Sequence, residues 1–362
     1  MITQILLVIA LVLTLAISVG VRFSLLLLVG LLIGFSLERF GFGFAGPWRR
    51  LIRDRNAQGF MAQLVAIGLT AIAIQPIIAF APGSLIGAIA PVSLTMVAAA
   101  FVFGLSMQMI LGCGSGTLVN AGSGNAIALT ALPLFCVGSF LGTLLVPTAI
   151  EMTPHIPVNL TESFGVGGSI ALTLAGLFVL GIIASRFSVG SLWNRKLLIA
   201  AAILAALATI HVLVAGQPWG VVYGLGLWVA KGAQSLGWDP SSAQFWIHPI
   251  NANALSTSIL TDTTSLTSLG LIGGAALAAW KDSSSQPFNQ SVAIWYYLVA
   301  ALFGLLLGVS SRLAFGCNVG ALFSGIASGS LHGWAWLFAG FFGSVIGVRL
   351  RDQLWQQARQ GV

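Results

Sequence analysis

Charged residues are scarce in this chain of 362 residues, at only 6% of the total. Soluble domains typically contain about 25% charged residues, because charge covers the surface that faces water. With 57% apolar residues, this chain lacks the polar surface of a soluble protein. Its apolar runs are long and continuous, whereas a membrane barrel shows alternating segments of roughly 10 residues. The composition therefore predicts an all-α integral membrane protein.

Cysteine, histidine and acidic residues are also rare. Three cysteines without a CxxC pair exclude a disulfide framework, and four scattered histidines have no metal-ligand spacing. We therefore expect no metal, no cofactor and no catalytic residue. The net charge of +7 does not indicate nucleic acid, because the basic residues crowd into short loops. The expected surroundings are a lipid bilayer.

The apolar runs predict about nine or ten spanning helices of roughly 20 residues each. Several runs are too short to cross a bilayer, which indicates additional short re-entrant or broken helices covered by protein. The most polar long segment, 235–264, is predicted to be either a loop or an interfacial helix. The runs are 2–20, 23–37, 60–82, 85–111, 126–149, 169–186, 197–215, 220–234, 265–280, 293–316 and 334–348.

Basic residues predict the orientation of the chain. The cytoplasmic loops of membrane proteins are enriched in lysine and arginine, and the loop 151–165 contains neither. We therefore expect this loop outside and both chain termini in the cytoplasm, at the inner membrane of a bacterial cell. The residues that mark the cytoplasmic side are Arg39, Arg49, Arg50, Arg53, Arg55, Arg186, Arg195, Lys196, Arg349, Arg351 and Arg359.

Two stretches of the chain repeat one pattern. Residues 104–120 read GLSMQMILGCGSGTLVN, and residues 308–324 read GVSSRLAFGCNVGALFS. Cys113 and Cys317 lie 204 positions apart in the same frame of glycines. Such a duplication predicts one site built from both halves of the chain.

The loop charges give the two copies opposite directions. The run after the first cysteine ends outside, and the run after the second ends inside. This is the inverted-topology repeat of many secondary transporters, whose site lies at the repeat interface. We predict a single membrane transport domain over 1–362, with halves at 1–165 and 197–362. After a shift of one residue, the repeat also pairs Gly138 with Gly343.

The glycine–cysteine segments have the residue types of an anion site. Glycines let backbone amides approach a ligand, and a helix start adds partial positive charge. The alternative is that cysteine and glycine only pack closely here. The duplication favours a substrate pathway. Its predicted residues are Cys113, Cys317, Gly112, Gly114, Gly116, Gly316 and Gly320.

Two further polar residues join this predicted pathway. Arg312 lies in an apolar run five residues before Cys317, and an ionisable residue at membrane depth indicates function. It either attracts an anion, pairs with Asp262, or extends its charge to the interface. Gln108 is its neutral counterpart in the repeat. The third cysteine, Cys136, is interpreted as a packing residue.

The chain resembles the YeeE/YedE family of bacterial membrane proteins, which carry a sulf-transport domain. Three stretches support the resemblance, and together they span most of the chain. They are GFSLERFGFGFAGPWRRL (34–51), GLSMQMILGCGSGTLVNAGSGN (104–125) and SRLAFGCNVGALFSGIASGSLHGW (311–334).

The resemblance implies an hourglass-like helical fold and uptake of an inorganic sulfur anion, best described as thiosulfate. It implies that cysteines pass the anion along the pathway, with Cys113 central and Cys317 further inside. It also implies a small TusA-like sulfur carrier in the cytoplasm as a possible partner. The sequence departs from the family at Gly43, where relatives usually have a third cysteine.

The glycine at position 43 leaves open other transported substrates than thiosulfate. In this alternative the substrate is a selenium compound, sulfite or another small anion. A membrane sulfurtransferase that uses Cys113 as a persulfide carrier is a further alternative. It is disfavoured because no histidine or carboxylate is expected near the thiol and no cofactor motif is present. A transporter is therefore expected rather than an enzyme.

Overall fold

The computed structural model describes residues 2–152, 156–280 and 294–360, and these residues are mostly helical. The α-helices are α1 Ile2–Ser18, α2 Val21–Phe40, α3 Ala45–Asp54, α4 Gln58–Phe80, α5 Leu94–Met109, α6 Gly114–Gly122, α7 Ala126–Glu151, α8 Leu160–Phe187, α9 Arg195–Ala215, α10 Val222–Ser235, α11 Gln244–Ile247, α12 Pro249–Ser256, α13 Thr263–Ala279, α14 Ile294–Leu313, α15 Ser324–Ala327 and α16 Leu331–Gln360. A π-helix, Asn318–Phe323, precedes α15 directly.

Strand structure is minimal in the part of the chain that the structure describes. Strands β1 (Pro91–Val92) and β2 (Ile156–Pro157) form one short antiparallel ladder. The fold class is therefore all-α, as predicted from the composition.

Within the described residues, eight segments are long and apolar enough to cross a membrane, and two shorter apolar helices accompany them. Large apolar side chains are exposed on their outer surfaces, for example Phe178 at 70% and Phe342 at 64%. Water does not solvate such a surface well, whereas lipid tails do. The protein is therefore a multi-pass membrane protein, in agreement with the predicted class. The eight segments are Val21–Asp54, Gln58–Phe80, Leu94–Gly122, Ala126–Glu151, Leu160–Phe187, Arg195–Ala215, Ile294–Ala327 and Leu331–Leu354.

The helices that flank the two cysteine segments pack on each other crosswise. Helix α5 leads into the first segment and packs extensively against α16, which follows the second. Conversely, α14 leads into the second segment and packs against α7, which follows the first. Helix α2 packs against α13 and α4 against α9, so these pairs also join a helix of the first half to one of the second. Both halves thus enclose one centre, while the half boundaries and their opposite directions stay predictions.

Matched glycines allow these crosswise pairs to approach closely. A Cβ atom at Gly138 of α7 would lie 2.1 Å from the carbonyl oxygen of Leu305 in α14. A Cβ atom at Gly343 of α16 would lie 2.0 Å from the carbonyl oxygen of Phe101 in α5. Side chains at either position would force the backbones apart, so the repeated glycines are required by packing.

Two predicted segments differ from the observed elements. The apolar run 85–111 is not one helix, because α5 begins only at Leu94, where Ser93 caps it by accepting a hydrogen bond from the Met96 amide at 3.1 Å. The segment 235–264 contains α11, α12 and two 3₁₀ turns. Trp246 of α11 is fully buried and donates to Thr143 Oγ1 at 3.0 Å. This segment therefore packs on the helices rather than forming a simple loop.

Candidate functional site

The first cysteine segment is a sharp turn between two helices. After α5, Leu111 adopts a left-handed conformation with φ of 59°. Cys113 then caps α6, and its sulfur accepts a hydrogen bond from the Gly116 amide at 3.5 Å. Thr117 Oγ1 donates to the Cys113 carbonyl oxygen at 2.8 Å. The thiol therefore sits at the positive end of a short helix.

The second segment repeats this turn at the level of the backbone. Phe315, the repeat partner of Leu111, also has a positive φ of 56°. Cys317 has φ and ψ of −90° and −169°, and Cys113 has −81° and −170°. Left-handed conformations cost non-glycine residues roughly 1–2 kcal/mol. Their recurrence at equivalent positions shows that the turn geometry belongs to the duplicated unit.

The two turns meet in the interior of the protein. A Cβ atom at Gly114 would lie 2.7 Å from the Cys317 sulfur, so this thiol rests against the start of α6. The same Cβ would lie 3.2 Å from Val221, in the turn between α9 and α10. Cys113 and Cys317 are both free thiols with 0% exposure. The structure thus brings both predicted cysteines to one buried centre.

A cavity of about 180 Å³ borders Cys113. Two walls enclose it, namely the turn after α2 and the start of α6. Of the predicted pathway residues, Gly112, Cys113 and Gly116 line it, whereas Gly114 and Cys317 are not among its lining residues. A Cβ atom at Gly43 would have no neighbour within 4 Å. The lining residues are Leu37, Glu38, Gly41, Phe42, Gly43, Phe44, Ala45, Gly46, Pro47, Arg50, Leu111, Gly112, Cys113, Ser115, Gly116, Val119 and Asn120.

The cavity contains one carboxylate and one guanidinium group. Glu38 and Arg50 both line it, and Ser123 Oγ donates to Glu38 Oε2 at 3.3 Å. Ser123 lies at the C-terminal end of α6, whereas Cys113 lies at its start. The expectation that no carboxylate is placed beside the thiol therefore stays a prediction. Glu38 reaches the cavity because it belongs to α2, which packs against α6. Such a long-range contact has no signal in the local sequence.

Gln108 holds one wall of this cavity in place. Its side chain is fully buried, and Nε2 donates to the Ala45 carbonyl oxygen at 3.2 Å. Its Oε1 atom is buried without a hydrogen-bond partner. Gln108 therefore positions the start of α3, while its Oε1 atom is available to accept a hydrogen bond.

Arg312, the counterpart of Gln108, has different surroundings. Its guanidinium group lies 4.9 Å from the ring centre of Phe245 and 5.6 Å from that of Tyr223. Asp262 is not its partner, because this carboxylate caps α13 and accepts from the Ser265 amide at 2.6 Å. Cation–π contacts with two rings hold the charge of Arg312 at a partly buried position.

Sequence reasoning missed Asn318 and Trp219. Asn318 directly follows Cys317 and is fully buried, yet neither polar atom of its amide has a hydrogen-bond partner. The indole nitrogen of the buried Trp219 is also unpaired. An unpaired buried polar group costs about 1–3 kcal/mol, so such groups require an explanation, and a bound polar ligand provides one. The available signal was that Asn318 replaces the Gly114 of the first copy.

Cys136 differs from the other two cysteines. It lies inside α7, is 8% exposed and belongs to the main apolar core. It is not among the residues that line the cavity beside Cys113. Its position favours the predicted role in packing.

Comparison with known proteins relates this arrangement to one family. The family model described as sulphur transport matches residues 39–346, which include the cavity loop and both cysteine turns. The chain belongs to the sulphur transport family. This membership agrees with the resemblance seen in the three sequence stretches.

Relatives within the sulphur transport family differ in how much of the chain they match. "Thiosulfate transporter TsuA" of Spirochaeta thermophila is 26% identical over 337 residues, which cover 85% of this chain and 92% of that protein. "Probable transporter YedE" of Escherichia coli (strain K12) is 32% identical over 152 residues, or 41% of this chain. The YedE protein of Salmonella typhimurium is 32% identical over 155 residues. The matches span only 36% and 37% of the two YedE proteins.

We predict that Gly114→Ala in this sulphur transport family member disturbs the second thiol. The new Cβ would lie 2.7 Å from the Cys317 sulfur, so that side chain must move. Gly116→Ala is the matched control, because its Cβ would meet only the Cys113 sulfur, at 3.5 Å. Mass spectrometry of purified protein treated with N-ethylmaleimide measures the labelling rate of each cysteine. We expect a severalfold change at Cys317 in Gly114→Ala alone. Equal Cys317 rates in the two variants would contradict the proposed contact.

Proposed function

We propose that this protein imports thiosulfate through a central pathway on which Cys113 and Cys317 contact the anion. The proposal rests on one observation. Two buried thiols lie at equivalent turns, and the Cys317 thiol packs against Gly114, next to Cys113. The name of the relative TsuA, which matches 85% of the chain, supports thiosulfate as the passenger.

The surroundings of the thiols suit a sulfur oxyanion. The start of α6 supplies amide donors and partial positive charge, which stabilise an anion without a metal. A thiol is a weak donor with a polarisable sulfur, and it approaches the terminal sulfur of thiosulfate without the hydration that a charged side chain demands. Gly116 and Gly320 leave space beside the backbone at this place. Gly112, Gly114 and Gly316 instead allow close packing, because a Cβ atom at each would lie less than 3 Å from a neighbouring atom. Asn318, next to Cys317, provides unpaired polar atoms, and so does Trp219, whose ring centre lies 6.3 Å from that of Phe323.

The charged residues then set the path of the anion. Arg50 attracts it to the cavity beside Cys113, and Gln108 shapes the wall of that cavity. Arg312 supplies fixed positive charge along the second half of the pathway. Because Arg50 belongs to the basic loop after α2, we place Cys113 nearer to the cytoplasm than Cys317, the reverse of the order that the family resemblance implies.

We further propose the inner membrane as the location, with both termini in the cytoplasm. The concentration of arginines in the loop after α2 and at the end of α16 supports this orientation. A TusA-like carrier that consumes the imported sulfur at this basic face would maintain the inward gradient. Passage driven by consumption does not require a relay of intramembrane carboxylates.

Replacing either central cysteine with alanine should slow thiosulfate uptake. Loss of one hydrogen bond to a charged group, about 1.5 kcal/mol, corresponds to roughly a tenfold lower rate when it stabilises the rate-limiting state. The measurement is uptake of labelled thiosulfate by cells that lack other thiosulfate importers. Cys136→Ala is the control and should leave the rate unchanged. Undiminished uptake by Cys113→Ala, with the protein present at equal amount, would refute the thiol pathway.

Restoring a third thiol at position 43 should accelerate uptake. The cavity offers open space at Gly43, so Gly43→Cys adds a weak donor beside Cys113 without a clash. Gly43→Ala adds comparable bulk without a thiol and serves as the control. We expect faster thiosulfate uptake for Gly43→Cys than for Gly43→Ala and the parent protein. Equal rates for both variants would instead indicate that this protein transports its anion with two thiols and favour a different passenger.

A further inference from the structure

A second cavity opens on the outer surface of the protein, and no residue of either cysteine turn lines it. It measures about 500 Å³ and lies between α3, α4, α8 and α16. Its walls are almost entirely apolar, but Arg55 and Arg349 also line it. Apolar grooves are common on membrane proteins, but two exposed arginines on the lining of one such groove favour an anionic occupant.

The α16 wall of this groove has a fixed spacing. Phe338, Phe342, Val345 and Arg349 follow one another at intervals of three or four residues, so they share one face of the helix. At 1.5 Å per residue, the stripe from Phe338 to Arg349 is about 16 Å long. This is roughly half of the ~30 Å hydrocarbon core. The stripe therefore extends over one leaflet and ends in a positive charge.

The α8 wall, opposite α16, is also apolar and exposed. Ile183 and Phe187 of α8 are 47% and 67% exposed, and Phe342 on the α16 wall is 64% exposed. All three side chains line the groove. Their exposure leaves a surface that a hydrocarbon chain covers and water does not.

Arg55 is held at the Phe187 end of the groove by its backbone. It ends α3 in a left-handed conformation with φ of 51°. Its carbonyl oxygen accepts a hydrogen bond from the Val189 amide at 2.8 Å, two residues after Phe187. The turn after α3 is therefore tied to the end of α8, and the guanidinium group of Arg55 belongs to the same end of the molecule.

The charges of the two arginines are not balanced within the groove. Among the described residues that line it, none is a carboxylate. Nearby Asp54 instead pairs with Arg53 at 2.9 Å, and Asp352 lies 3.8 Å from the same arginine. Arg55 and Arg349 thus present net positive charge to an occupant.

We propose that this groove binds an anionic glycerophospholipid of the cytoplasmic leaflet. One acyl chain lies along the Phe338–Val345 stripe and Phe187, and the phosphate contacts Arg55 and Arg349. Basic pockets between helices on the cytoplasmic side are suited to such headgroups. The unbalanced charge of the two arginines selects a charged lipid over a neutral lipid, and the length of the stripe matches one leaflet. This site is independent of the sulfur anion pathway.

Native mass spectrometry of the full-length protein tests the lipid site. The protein is titrated with dioleoyl phosphatidylglycerol or with dioleoyl phosphatidylcholine, which differ in headgroup charge. Each arginine contributes about 1 kcal/mol towards an anionic lipid. Arg55→Gln with Arg349→Gln should therefore reduce the preference for phosphatidylglycerol by about 30-fold, at ~1.4 kcal/mol per tenfold.

The control variant carries Arg195→Gln with Lys196→Gln, two exposed positions at the start of α9 that do not line the groove. It should retain the preference of the parent, and binding of phosphatidylcholine shows that each variant is folded. Single variants at Arg55 and Arg349 should give intermediate preferences. Equal affinity of the parent for the two lipids, or an unchanged preference in the double variant, would overturn the proposal. Displacement of phosphatidylglycerol by millimolar inorganic phosphate would overturn it too, because it would indicate a simple anion site.

Discussion

Two helices end in the interior of this membrane protein, and their unpaired backbone groups must be covered by protein. Irregular backbone at membrane depth is tolerated only where it is buried in protein or lines a cavity. Here the turns after α5 and α14 are covered because each flanking helix packs on the other half, α5 on α16 and α14 on α7. The close approach at Gly138 and Gly343 makes this cover possible. The crosswise packing and the central turns therefore depend on each other.

The same constraint explains the chemistry collected at the centre. A helix that starts inside the protein offers free amides and partial positive charge where no water competes for them. Cys113 and Cys317 stand at those starts, and Leu111 and Phe315 hold both turns in strained conformations. Strained residues persist only where the surrounding structure determines them, which is typical of functional sites. The duplicated turn therefore supports the proposal that these positions bind a ligand.

Much of this arrangement was predictable from the sequence, and the failures have physical causes. Composition and apolar runs predicted the membrane class. The repeated glycine frame predicted that Cys113 and Cys317 belong to one site. The left-handed Leu111 was not predictable, because leucine by itself disfavours that conformation. Glu38 reaches the cavity through the packing of α2 on α6, a contact between segments about 80 residues apart along the chain. The aromatic neighbours of Arg312, Tyr223 and Phe245, lie about 70 to 90 residues before it in the chain. Local sequence patterns therefore could not predict these contacts.

The most direct test of the central claim is an experimental structure of the protein soaked with thiosulfate. The account predicts density for the anion against the Cys113 sulfur, in the cavity that Gly43 and Arg50 also line. In crystals of Cys113→Ala, this density should be lost while the fold is retained. Thiosulfate bound elsewhere, with Cys113 untouched at saturating concentration, would contradict the account.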